Sequence, residues 1–194
     1  TTDGSNPTPS TSPSTSAITG HCLCGSVTIA VAGEHDPRVG ACHCRMCQKA
    51  FGSFFAPLTQ VPLDKFELTR GTLAVFRSSE PTERGFCRDC GTPLTFRYLD
   101  KARINVSIGS LDAPEKIAPL HQYGVEGRMP WFASLAALPG ETTTEEDAPD
   151  LAATIAVTSH QHPDHDTAAW PPDGAGTGPR RRSPAAASAA RCGS

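Results

Sequence analysis

Alternation is the clearest pattern in this chain. Val27-Thr28-Ile29-Ala30-Val31 puts an apolar residue at every second position, the period of a strand with one buried face. Short apolar-rich runs over 53–56, 73–76, 94–98 and 104–108 are four further strand candidates. Gly33, Pro57, Pro62, Gly71, Gly91, Gly109 and Pro114 punctuate the intervals. Only 44–51 and the stretch around 131–138 predict short helices. The expected fold class is a small, mainly β domain.

Composition limits where that domain lies. The 194 residues are 38% hydrophobic and include 18 Pro and 17 Gly, so part of the chain falls outside any packed core. Residues 1–16 are almost wholly Thr, Ser, Pro, Gly and Asn, which bury too little apolar surface to offset chain ordering; they read as a disordered leader. After Pro139-Gly140 a second biased region runs over 141–194, through Glu145-Glu146-Asp147, a patch with His160, His162 and His165, Arg180-Arg181-Arg182 and an Ala-rich end. It holds eight acidic residues against four arginines and reads as a low-complexity, disordered tail. The domain is then 17–140, long enough for one modest core.

Charge and hydropathy exclude several classes. A formal net charge of −3 argues against a generalist nucleic-acid binder. No apolar stretch approaches the roughly 20 residues that span a bilayer, so no membrane partner is expected. The N-terminal residues show neither a basic nor an apolar signal region. A cytoplasmic protein with reduced thiols is the expectation.

That setting gives the cysteines their meaning. Seven of the eight fall in three clusters: Cys22-Leu23-Cys24-Gly25, Cys42-His43-Cys44-Arg45-Met46-Cys47 and Cys87-Arg88-Asp89-Cys90-Gly91; Cys192 stands apart. In an extended chain the ends of Cys-x-Cys lie roughly 6.5–7 Å apart, at the limit for a disulfide, yet their side chains share a face. Three such clusters point to metal, zinc above all. Seven thiols divide as four plus three. The first and third clusters both end in Cys-Gly, the form of a zinc knuckle, and two facing knuckles make a closed tetrahedral site from Cys22, Cys24, Cys87 and Cys90. The middle cluster wraps a metal with Cys42, Cys44 and Cys47 and leaves a fourth position for a ligand, as catalytic zinc sites require. Three thiolates leave Zn²⁺ with a formal −1, which suits a soft ligand such as a substrate thiolate better than hydrolysis. His43 or His121 closing the site would make it structural instead; His43, flanked by two ligands, is expected to point away.

These residues resemble the glutathione-dependent formaldehyde-activating enzyme family, also called the centromere protein V/GFA domain. The likeness rests on Gly20-His21-Cys22-Leu23-Cys24-Gly25-Ser26-Val27, on Cys42-His43-Cys44-Arg45-Met46-Cys47, and on Phe86-Cys87-Arg88-Asp89-Cys90-Gly91-Thr92-Pro93-Leu94. Ile108-Gly109-Ser110-Leu111-Asp112 and Pro130-Trp131-Phe132 also fit, so the resemblance covers 17–140. It implies a β-tent fold and two Zn²⁺ per chain, one structural on Cys22, Cys24, Cys87 and Cys90, one of catalytic type on Cys42, Cys44 and Cys47. The implied activity is carbon–sulfur lyase chemistry, interconverting S-(hydroxymethyl)glutathione with glutathione and formaldehyde. Arg45 and Lys49 stand beside the loop and could attract an anionic tripeptide, though surface solvation accounts for each alone.

The main alternative is a non-catalytic zinc module of the same fold, with the Arg180–Arg182 run as a basic patch. A zinc deaminase would need a ligand-x-Glu signature before its Cys-x-x-Cys, and none precedes Cys87. A methionine sulfoxide reductase would need a separate reactive cysteine, and only Cys192 is spare. Trp131 reads as a core or lid aromatic, Asp89 as a turn residue, and His160, His162 and His165 as part of a solvated tail. Oligomeric state is not readable.

Overall fold

The computed structural model describes residues 17–33, 39–140, 148–159 and 165–166. Ten strands and few helices make the described part mainly β, as the alternation predicts. A three-stranded antiparallel sheet contains β1 (Ile18–His21), β2 (Thr28–Val31) and β5 (Phe66–Arg70), in the order β1-β2-β5. The other strands are β3 (Gly40–Cys42), β4 (Ala56–Pro62), β6 (Ala74–Ser79), β7 (Thr82–Phe86), β8 (Pro93–Tyr98), β9 (Arg103–Ser107) and β10 (His121–Tyr123). They form one sheet in the order β10-β3-β4-β9-β8-β7-β6, antiparallel except where β10 runs parallel to β3.

One strand and one helix depart from the sequence reading. The strand expected over 53–56 begins only at Ala56 and runs on through both prolines to Pro62. Residues 53–55 turn the chain out of helix α1 (Arg45–Phe51), whose C-cap Gly52 is left-handed at φ 59°. The prolines are tolerated because each sits where β4 has one neighbour. Pro57 pairs with Ala41 of β3 before β9 begins its register at Leu58, and Pro62 pairs with Arg103 of β9 beyond the end of β3. The stretch around 131–138 winds as a 3-10 helix, Phe132–Ala137, bracketed by Pro130 and Pro139 at a length too short to nucleate a stable α-helix. Further on, α2 (Pro149–Thr158) is helical and buries none of its residues.

Register decides which residues the large sheet turns to each face, because directly paired residues point the same way and neighbours along a strand point oppositely. Val61 opposite Ile104, and Val106 in the next row, face the three-stranded sheet; with Ile29, Val31, Val39, Ile108, Leu111 and Ile117 they form the main core. The other face carries Cys42 opposite Ala56, then Leu58, then Phe96 opposite Arg84. Helix α1 covers part of that face: Cys47 packs with Ala56 and Leu58, and Phe51 and Phe96 lean against them. No described helix is long and apolar enough to cross a membrane.

Candidate metal centres

The structure brings seven cysteines into two groups. In the first, the Sγ atoms of Cys22, Cys24, Cys87 and Cys90 all lie within 4.8 Å of one another. Each half is a tight turn: Gly25 N–H donates to the Cys22 carbonyl at 2.8 Å, and Gly91 N–H to the Cys87 carbonyl at 3.0 Å. Both glycines are left-handed, at φ 73° and 79°, a conformation that a side chain would strain, which is why each knuckle ends in Cys-Gly. Cys22–Cys24 and Cys24–Cys87 sulfur separations of 3.6 and 3.8 Å match the edge of about 3.8 Å expected for a tetrahedron with metal–sulfur bonds near 2.3 Å. The four thiols therefore fit a tetrahedral metal ion. Val27 N–H donates to Cys22 Sγ at 3.3 Å, and Thr92 Oγ1 lies 3.1 Å from Cys90 Sγ.

Surroundings set the proton affinities of this group. Burial pushes the Cys22 thiol up to about 12 and raises that of Cys24 as well. Burial acts upward on Cys90 too, but hydrogen bonds from the Thr92 side chain and backbone outweigh it and bring that thiol down to about 6. Cys22 and Cys87 are fully buried among Val27 and Leu94, so the group doubles as a small core cluster.

The second group has three members. Cys42 ends β3, Cys44 is the N-cap of α1 and Cys47 lies in its first turn, with their Sγ atoms within 4.8 Å of one another. Cys44 Sγ accepts a hydrogen bond from Cys47 N–H at 3.5 Å, as an N-cap side chain does. The hydrogen bond with Cys47 lowers Cys42 to about 5 against the effect of burial, and the same bond, with burial, pushes Cys47 up. Three thiols of this spacing could hold a metal ion and supply three of four tetrahedral positions. Among the described residues, no fourth Cys, His, Asp or Glu belongs to the group.

The histidines stand elsewhere. His43 is fully buried and turned away from the group: its Nε2 lies 3.0 Å from Gln122 Oε1, and Phe132 meets its ring edge-on at 4.7 Å. His121 is exposed on β10. Gln48, buried in α1, donates to the carbonyls of His43 at 2.8 Å and Gly127 at 2.9 Å, fastening the cysteine loop to the segment after β10. Arg45 and Lys49 are exposed on α1, with Arg45 bonded to Gln48. Asp89 is an exposed turn residue. Trp131 lies at the surface, 45% exposed, its ring edge-on to Phe54 at 4.7 Å, so it is no core residue. Of the tail histidines His165 is described; His160, His162, Arg180–Arg182 and Cys192 lie outside the described residues.

Arg84, on β7, is a neighbour the sequence reading does not find. Its guanidinium stacks over Phe96 at 4.8 Å and points Nη2 at Cys47 Sγ, 3.7 Å away. Only the alternation of a strand that pairs with 94–98 would have aimed it at the cysteines, and Thr82-Glu83-Arg84-Gly85-Phe86 shows no apolar alternation.

Comparison with known proteins adds three findings. The model of the glutathione-dependent formaldehyde-activating enzyme family matches residues 17–126. An uncharacterized lyase of Schizosaccharomyces pombe is 36% identical over 83 residues, which are 42% of this chain and 58% of that protein, so the match spans little more than half of the relative's length. The crystal structure of a Rhodobacter sphaeroides protein, 23% identical, superposes with a TM-score of 0.45 over 54% of this chain and 98% of that one.

Proposed function

The chain belongs to the glutathione-dependent formaldehyde-activating enzyme family, and from that membership we propose that it is a zinc-dependent carbon–sulfur lyase interconverting S-(hydroxymethyl)glutathione, or a related thiol adduct, with the free thiol and formaldehyde. The observation that carries this reading is the uneven split of the thiols: four make a closed set, and three leave one tetrahedral position without a ligand among the described residues. Cys22, Cys24, Cys87 and Cys90 would hold a structural zinc, and Cys42, Cys44 and Cys47 a second. The second ion would supply a soft Lewis acid that keeps a substrate sulfur as thiolate. In the cleavage direction the carbon–sulfur bond breaks, sulfur keeps the electron pair, and the hydroxyl proton leaves as the carbonyl forms. Cys42 and Cys44, fixed by β3 and the helix cap, orient that sulfur; holding it against the one-carbon fragment supplies the advantage of proximity. His43 faces Gln122, so the proton is not assigned to it. The domain 17–140 carries the activity in this proposal, in a cytoplasmic setting that keeps the thiols reduced.

The test is exchange. Zinc-loaded protein is added to equilibrated glutathione and formaldehyde, and adduct exchange is followed by NMR. Acceleration over the spontaneous rate, abolished in Cys42→Ser, is expected. No acceleration would leave a non-catalytic zinc module as the reading.

A further inference from the structure

Arg84 reaches the three-cysteine group from a strand that contributes no cysteine to it. Its guanidinium is held over the Phe96 ring, which itself leans on Cys47 and Leu58. One edge of the guanidinium faces Cys47 Sγ at 3.7 Å. The other, Nη1, is buried and has no hydrogen-bond partner among the described residues. A guanidinium cannot shed its proton, so one with an Nη1 cut off from water favours negative charge nearby. The thiols of the three-cysteine group can carry it, with Cys47 Sγ at 3.7 Å.

We propose that Arg84 is a positioning residue of this site, whose fixed positive charge offsets the charge that builds up when a substrate thiolate joins an ion already held by Cys42, Cys44 and Cys47. The inference rests on the zinc-dependent reading above. Three thiolates on a divalent ion carry −1, and a fourth makes −2. Each further anion is repelled unless a cation stands close in a site poor in water. Arg84 returns that sum to −1 and makes an anionic fourth ligand acceptable. A neutral fourth ligand adds no charge and needs no such help. Arg84 thus sets the preference of the site for thiolates over neutral donors.

The full chain loaded with Co²⁺ gives a readout independent of turnover, because the visible absorption of the ion changes when a fourth ligand binds. Glutathione and imidazole are titrated into wild type, Arg84→Met and Arg84→Lys, with metal content and circular dichroism measured alongside. Arg84→Met is expected to keep both metals and to bind glutathione roughly 10- to 100-fold more weakly, the usual range for loss of a charge-assisted contact. Its imidazole affinity stays within a factor of about two to three, since no charge-assisted contact is lost there. Arg84→Lys recovers much of the thiol affinity. Equal glutathione binding by wild type and Arg84→Met would overturn the proposal, as would an equal loss for both ligands, which marks a structural role. Wild type with no glutathione-dependent change would overturn it too. Should Arg84→Met lose its metals, Arg84→Gln gives the same comparison with hydrogen bonding kept and charge removed. If thiol binding behaves as expected but wild type fails to speed adduct exchange, the lyase reading falls and the role of Arg84 in thiolate binding stands.

Discussion

Ser26 holds its Oγ 3.1 Å from the Sγ of Cys87, sixty-one residues further along the chain. The same oxygen lies 3.1 Å from Cys24 Sγ, so one small hydroxyl touches both knuckles of the four-cysteine group. Donated to a thiolate, such a bond contributes about 1–2 kcal/mol. Ser26→Ala should therefore lower the free energy of urea unfolding by that amount while the metal content stays unchanged. An unaltered midpoint would mean that the hydroxyl is satisfied equally well without the sulfurs.

The four-cysteine group joins the end of β1 to the turn between β7 and β8, and so ties the small sheet to the β8-β7-β6 end of the large one. Binding at structural zinc sites amounts to about 10 kcal/mol or more, comparable with the whole 5–15 kcal/mol stability of an ordinary domain. Losing it should exceed what the modest core supplies. Cys87→Ser, or chelation with a strong zinc ligand, is expected to abolish the cooperative thermal transition seen by circular dichroism. A chelated protein with its β spectrum intact would show that the core stands alone.

Substitution in the three-cysteine group should separate chemistry from folding. Cys47→Ser replaces a buried sulfur among Ala56 and Leu58 with a hydroxyl, at a cost of about 1–3 kcal/mol for the buried polar group. That is too little to unfold a domain whose other metal is in place. The variant should keep its β spectrum, retain one metal per chain by native mass spectrometry, and lose adduct exchange. Two retained metals, or a lost fold, would contradict the division of labour.

How much of this was legible in the sequence follows from where each signal lies. The three cysteine clusters were legible because each spans only three to six residues, and the pairing of the first with the third was read from their shared Cys-Gly ends. Strand β2 shows its alternation because one face meets the core, and β8 and β9 do so in part, whereas β6 shows only an apolar run. Strand β5 carries Phe66, Leu68 and Arg70 on one side and Glu67 and Thr69 on the other, so the same criterion finds it although the candidate strands omit it. By contrast, β10 is exposed at all three positions and β3 has only three residues, so neither prints a pattern. Strand β7 hides for a different reason: it turns Arg84 toward the cysteines, and a charged side chain on an inward face breaks the rule by which strands are read. The guanidinium that faces Cys47 therefore gave no signal in advance.

Gly124 tests how closely the segment after β10 must approach the cysteine loop. It is left-handed, at φ 62°, and a Cβ there would come 2.8 Å from Cys44 N and 3.1 Å from Cys44 Cβ. Gly124→Ala combines about 1 kcal/mol of backbone strain with a contact that neither backbone relieves without shifting. Cys44 is the helix cap as well as a thiol of the three-cysteine group, so displacing it moves Sγ and the first turn of α1 together. Gly124→Ala should lose the second metal to a competing chelator at least about tenfold faster than wild type, as expected when a ligand is pulled off its geometry. The four-cysteine metal, on the other side of the large sheet, should leave at its wild-type rate. If both metals were released faster by the same factor, Gly124 would be acting on the stability of the whole domain rather than on the position of Cys44.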